Sequence, residues 1–122
     1  MIYTGTLLHV SDNSGVKLVK CLKILGRKPK SWGKIGDLIV VSIKRIKINS
    51  KIKKKEIYRG IIVRLKKKIK RIDGSYISFG KNSIVLLNNK GYPIGNRIFG
   101  PVSKELRLKK NIKLVSLCTK ML

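Results

Sequence analysis

Short runs of β-branched residues, cut by clusters of Gly, Asn, Asp and Pro, leave this chain little room for anything but strands. Residues 6–10 read as a first strand. Asp12-Asn13-Ser14-Gly15 follows as a turn, because Asx side chains bond their own backbone and Gly accepts positive φ. Residues 16–25 form a second strand, ended by Gly26. Residues 37–48 form a third, with Ile39, Val41 and Ile43 on one face and Ile46 and Ile48 at the opposite parity. The period slips at Lys44-Arg45, which predicts a β-bulge there. Bulges bend strands, as closing a small barrel requires. Residues 56–65 make a fourth strand, with Ile57, Ile61, Val63 and Leu65 sharing a face. Asp73-Gly74 is a hairpin signal between Ile72 and the run 76–79. Residues 84–87 read as a fifth strand and 88–93 as a long turn. One helix is expected over 104–110, with Ser103 as N-cap, Glu105 in the first turn and Lys109 and Lys110 in the last. Residues 112–117 alternate as a final short strand.

At 122 residues the chain fits one compact domain. Its 43% hydrophobic content excludes a disordered basic tail. Against that core stand 30 Lys and Arg and only 5 acids, a net charge of +25. Size scaling gives roughly one net charge per ~260 Å² of surface, a mean spacing of ~16 Å. The Debye length in cells is ~8 Å, so evenly spread charges would be screened, but clustered ones repel and are best held against a polyanion. Ala and Gln are absent. Folding requires neither absence. With abundant Ile, Lys and Asn, this points to an AT-rich genome: a mitochondrion first, a plastid or an AT-rich bacterium as alternatives.

Catalysis fits poorly. Asp12, Asp37, Glu56, Asp73 and Glu105 are scattered, and His9 has no partner in a recognisable arrangement. Two cysteines, Cys21 and Cys118, give no zinc spacing and read as free thiols. No metal or cofactor is expected. Thr4 and Gly5 arrive before any apolar core of a signal peptide, and no apolar run approaches the ~18 residues of a membrane span.

The basic clusters carry the information. Lys51, Lys53, Lys54 and Lys55 form one. Arg64, Lys66, Lys67, Lys68, Lys70 and Arg71 form the densest. Arg27, Lys28, Lys30 and Lys34 surround Trp32, which either stacks on a base or ribose or anchors its own loop. Lys44, Arg45, Arg107, Lys109 and Lys110 complete the expected RNA contacts. Ten phosphate contacts would give a log–log salt slope of about −7 to −9. Lys outnumbers Arg about threefold, so most contacts are point-charge contacts that read backbone rather than bases. The alternative is a free-standing barrel module for single-stranded nucleic acid, but such modules display aromatics on a strand face, and here they are mostly isolated. An RNA-modifying enzyme, a third reading, lacks its catalytic groups.

A family resemblance sharpens this. Gly60-Ile61-Ile62-Val63, nine residues, Asp73-Gly74, then Phe79, Asn82 and Val85 resemble the pattern of ribosomal large-subunit protein L-fourteen. Asp12 to Gly15, Cys21, Gly26, Gly36-Asp37, Leu86 to Asn89, Pro93-Ile94-Gly95, Arg97 to Val102, Glu105-Leu106-Arg107 and Ser116-Leu117 are similar to the same family in the same order. The resemblance implies an all-β fold: a small five-stranded β-barrel over about 1–100 and a C-terminal loop region with one or two short helices over 101–122. It implies binding to large-subunit rRNA, a place at the subunit interface with a bridge to small-subunit rRNA, and neighbours conventionally numbered three and nineteen. It also implies docking of a ribosome-silencing factor at Asn96, Arg97 and Lys113. Asn96 departs from the family's usual Thr, Arg45 replaces a common acid, and Cys118 stands where Ala is typical.

Overall fold

Buried and exposed residues alternate along each long strand, and the places where the alternation breaks are where the sheet bends. The computed structural model describes residues 2–26, 31–48, 52, 54–88, 90–103 and 117. Seven strands occur among them: β1 Leu7–Val10, β2 Val16–Ile24, β3 Leu38–Ile46, β4 Ile57–Arg64, β5 Ile69–Lys70, β6 Tyr76–Ile77 and β7 Ser83–Leu87. Five close into a barrel in the order β1-β2-β3-β4-β7, and β5-β6 stands apart as a two-stranded sheet. Barrel neighbours are antiparallel except β1 and β7, which run parallel at the closing seam. The all-β class and the five-stranded barrel are therefore as expected.

The predicted bulge is present. Leu18 faces Arg45 and Val19 faces Ile43, so Lys44 is the extra residue on β3. Lys17 and Leu22 are extra residues on β2 by the same count. A further bulge falls on β4, where Ile62 faces Ile84 and Arg64 faces Ser83, leaving Val63 unpaired. It corrects the predicted face of that strand. Ile61, Ile62 and Val63 are all buried, while Ile57 is 65% exposed. The inserted residue breaks the alternation only from Val63 onward; Ile57 and Ile61 share parity with no bulge between them and differ in burial alone.

Core side chains from all five barrel strands meet inside: Leu8, Val19, Ile39, Val41, Ile43, Ile62, Ile84 and Leu86 are each fully buried. Gly60 leaves room for this packing. A Cβ there would lie 2.8 Å from Ile84 Cδ1 and 3.3 Å from the Val85 carbonyl oxygen. Gly60→Val is expected to lower the unfolding free energy by about 2 kcal/mol through overpacking, read as a lower urea midpoint at unchanged slope.

All five residues of β7 are buried. The chain after β7 turns back across the barrel: Leu87 bridges Pro93, Asp12 bridges Ile98, and the Ser103 N–H donates to the Val63 carbonyl at 3.3 Å. A strand covered on both sides reads as an unbroken apolar run, and Ile84-Val85-Leu86-Leu87 does.

The Asp73-Gly74 hairpin forms, with Ile69 opposite Ile77 and Lys70 opposite Tyr76. Its strand begins earlier than Ile72, which lies fully exposed in the loop. The expected helix over 104–110, with Glu105, lies outside the described residues. Ser103 itself is buried with no hydrogen-bond partner for its Oγ, so the expected N-cap bond is not made. Leu117, the one described residue of 112–117, has helical backbone rather than the extended backbone expected there. Cys21 is a buried free thiol whose pKa burial raises, which makes it chemically inert. Cys118 lies outside the described residues.

Candidate nucleic-acid interface

The few acids are engaged in building the fold. Asp12 is buried at the turn after β1. Its Oδ1 accepts the Ser14 N–H and O–H, and its Oδ2 accepts the Leu86 N–H. Asp37 accepts the Lys34 backbone N–H at 2.8 Å. Glu56 accepts the Tyr58 hydroxyl at 2.7 Å. Asp73 accepts both the hydroxyl and the backbone N–H of Ser75, which hold its carboxyl below the usual carboxylate range. All four described acids thus serve turns and strand ends, and the basic clusters keep their field.

The fold sorts the predicted contacts into two groups. Lys44 and Arg45 sit exposed at the β3 bulge. Lys54 and Lys55 are exposed in the turn before β4, and the Lys55 N–H donates to the Ile43 carbonyl at 2.9 Å, which sets that turn beside the bulge. Lys55 holds a left-handed backbone at φ 67°, an uncommon state for a non-glycine residue. Arg64 ends β4, Lys66, Lys67 and Lys68 lie between it and β5, Lys70 is on β5 and Arg71 directly follows it. Seven residue steps along β4 separate the two ends by about 23 Å. That exceeds the Debye length of ~8 Å, so each end presents its own field.

Trp32 belongs to the second group. Lys34 Nζ lies 5.1 Å from its ring centroid and Lys67 Nζ 4.8 Å. One half-buried indole therefore gathers cations from two clusters that are distant in sequence. Each such contact is worth about 0.5–1 kcal/mol at an exposed site, which offsets the mutual repulsion of the two ammonium groups. Trp32 thus draws cations of two clusters together. The backbone beneath is fixed: the Lys66 N–H donates to Asn82 Oδ1 at 2.8 Å and the Phe79 N–H to the Leu65 carbonyl at 3.0 Å. Lys81, not among the predicted contacts, is carried by the hairpin's return to the same end. Only the β4–β7 pairing reveals it.

Asn96 and Arg97 sit at a third place, against the Asp12 turn. The Asn96 N–H donates to Asn13 Oδ1 at 3.0 Å, and Asn13 Nδ2 donates back to Asn96 Oδ1. Asn96 is engaged within the chain, whereas Arg97 is exposed with its guanidinium 5.9 Å from the Phe99 ring centroid. Arg27, Lys28, Lys30, Lys51, Lys53, Arg107, Lys109, Lys110 and Lys113 lie outside the described residues.

Among the described residues no three His, Cys, Asp or Glu side chains cluster as metal ligands, and no helix is long and apolar enough to cross a membrane. In comparison with known proteins, the model of one family, described as ribosomal protein L14p/L23e, matches residues 1–122, the whole chain.

Proposed function

The chain belongs to the ribosomal protein L14p/L23e family, and from that premise we propose that its two basic ends hold large-subunit rRNA by the phosphate backbone. Membership makes it a structural protein of the large ribosomal subunit, in a family that is not one of enzymes. The observation that carries the RNA reading is that every described acid is engaged in hydrogen bonds that build the fold, at its own turn or strand end and, for Asp12, also across the barrel to Leu86. Glu56 and Asp73 are the carboxylates nearest these cations, too few to balance them, and a polyanion relieves the remaining repulsion. With Lys dominant, recognition is of RNA shape and backbone.

The finer reading places the protein at the subunit interface, touching small-subunit rRNA and the neighbours numbered three and nineteen. Arg97, with Lys113 and Asn96, receives a ribosome-silencing factor. Of these Asn96 is the weakest contact, since it already pairs with Asn13. The proposed compartment is the mitochondrial matrix, supported by composition alone. A free-standing single-strand binder gains nothing from the geometry: the exposed aromatics Tyr3, Tyr76, Tyr92 and Phe99 fall on separate segments and make no stacking row.

Sedimentation tests the ribosomal assignment. In a high-salt sucrose gradient of the source lysate the protein is expected to travel with the large subunit. Its release into the top fractions would overturn the reading.

A further inference from the structure

We propose that a cleft between β1, the end of β4 and the segment leading into β7 seats one RNA phosphodiester, held jointly by Arg64, Lys81 and His9. The proposal rests on the RNA-binding reading above and assigns a defined site within it.

The cleft is open to solvent, has a volume of about 430 Å³ and is lined by His9, Arg64, Phe79, Lys81, Ser83 and Pro101, with Val10 and Gly80 completing it. No carboxylate borders it. Arg64 Nη2 donates to the Phe99 carbonyl at 3.2 Å, and Gly100 passes so close that an added Cβ would stand 2.7 Å from Nη1. These contacts hold the guanidinium in place. Its Nε–H is buried and has no acceptor. A guanidinium does not shed its proton at physiological pH. Half-burial therefore presses against its charge, and an anion brought into the cleft relieves that cost.

His9 enters the cleft from β1, whose backbone is tied to the segment before β7: the His9 N–H donates to the Asn82 carbonyl at 3.2 Å. Burial first, then Lys81 and Arg64, lower its pKa. Those two cations are the charges that act on it, one from the segment after the hairpin and one from β4. Three donors on three separate segments thus converge on a concave site with no acid of its own. A tetrahedral phosphate offers oxygens to all three. Phe79 and Pro101 supply apolar walls suited to the adjoining ribose.

His9 is the only histidine in the chain, so its imidazole NMR signals report on the site without overlap. The full-length protein is titrated with acid at constant ionic strength in three states: in chloride, with inorganic phosphate, and with a short RNA hairpin whose binding is followed by fluorescence anisotropy. RNA is expected to raise the His9 midpoint by about one pH unit, the effect of an opposite charge at close range. The exposed Lys81→Gln variant is expected to lose most of that rise and to bind RNA about fivefold more weakly. Bound RNA with an unmoved His9 midpoint overturns the cleft and leaves RNA binding standing. An equal rise in the wild type and Lys81→Gln reports only the general field of the RNA and overturns it too. A response to inorganic phosphate but not to RNA identifies a free-anion site and overturns the RNA assignment. No RNA binding at all overturns both readings.

Discussion

Asp12→Ala is expected to cost about 3–4 kcal/mol of stability, because the carboxylate replaces a missing piece of backbone. Strand β1 ends at Val10, and the Ser11 N–H still reaches the Ile84 carbonyl at 3.0 Å. The next donor on β7, the Leu86 N–H, has no strand left to meet, and Asp12 Oδ2 accepts it at 3.2 Å. Oδ1 meanwhile accepts from Ser14 N and Oγ. Hydrogen bonds to a charged acceptor are each worth about 1.5–3 kcal/mol, and a buried N–H left without a partner costs about 1–3 kcal/mol. Water recovers part of the loss at Ser14, which is only half-buried, but not at Leu86, which is fully buried. For a domain of this size the melting temperature should fall by about 10–15 °C. Asp12→Asn is expected to lose about half as much. Its amide keeps one acceptor oxygen but turns an N–H₂ towards one of the two backbone donors. Guanidinium unfolding of both variants checks this, and a loss below about 1 kcal/mol for Ala would show that the carboxylate does not hold the seam.

The second large effect is on RNA affinity. Replacing Lys66, Lys67 and Lys68 by Gln removes three exposed charges from the end of β4 nearest Trp32. Each phosphate contact contributes a salt slope of about 0.7–0.9, so loss of three should flatten the log–log slope by about 2–3 and weaken binding about 50- to 150-fold at 0.15 M salt. Lys17, Lys20 and Lys23, exposed along β2, provide a control with the same change in net charge. Their replacement by Gln is expected to change affinity by less than about fivefold. Equal losses in the two triple variants would mean that binding follows total charge rather than a located surface. Filter binding across a salt series distinguishes the outcomes.

Local chemistry was legible in the sequence, and pairing across the barrel was not. Asp12 to Gly15 and Asp73-Gly74 are turns because their side chains bond backbone two residues away, a relation that needs no knowledge of the fold. The Lys44 bulge was legible because Ile43 and Ile46 break the two-residue period on their own strand. The Val63 bulge left no such mark, since every residue from Ile61 to Val63 is apolar and the slip is decided by β7. Ser103 looked like a cap, but its hydroxyl finds no N–H. At the site, composition predicted the cations but not their grouping. Lys34 and Lys67 meet only because Trp32 lies between them, and Lys81 joins Arg64 and His9 only through the closing of the barrel.

That closing seam sets an order on synthesis. Strand β1 appears first from the translating ribosome, yet its second neighbour is β7, with Ser11 and Ile84 separated by 73 positions. Joining ends so far apart costs about 4 kcal/mol of chain entropy beyond a constant, and it cannot happen before residue 87 exists. Until then the nascent sheet β1-β2-β3-β4 carries two open edges. Such edges invite pairing with other chains, and the lysines along β2 and beyond β4 repel any second copy that approaches. The same excess of positive charge that suits the finished protein to RNA thus guards the unfinished one against its own kind.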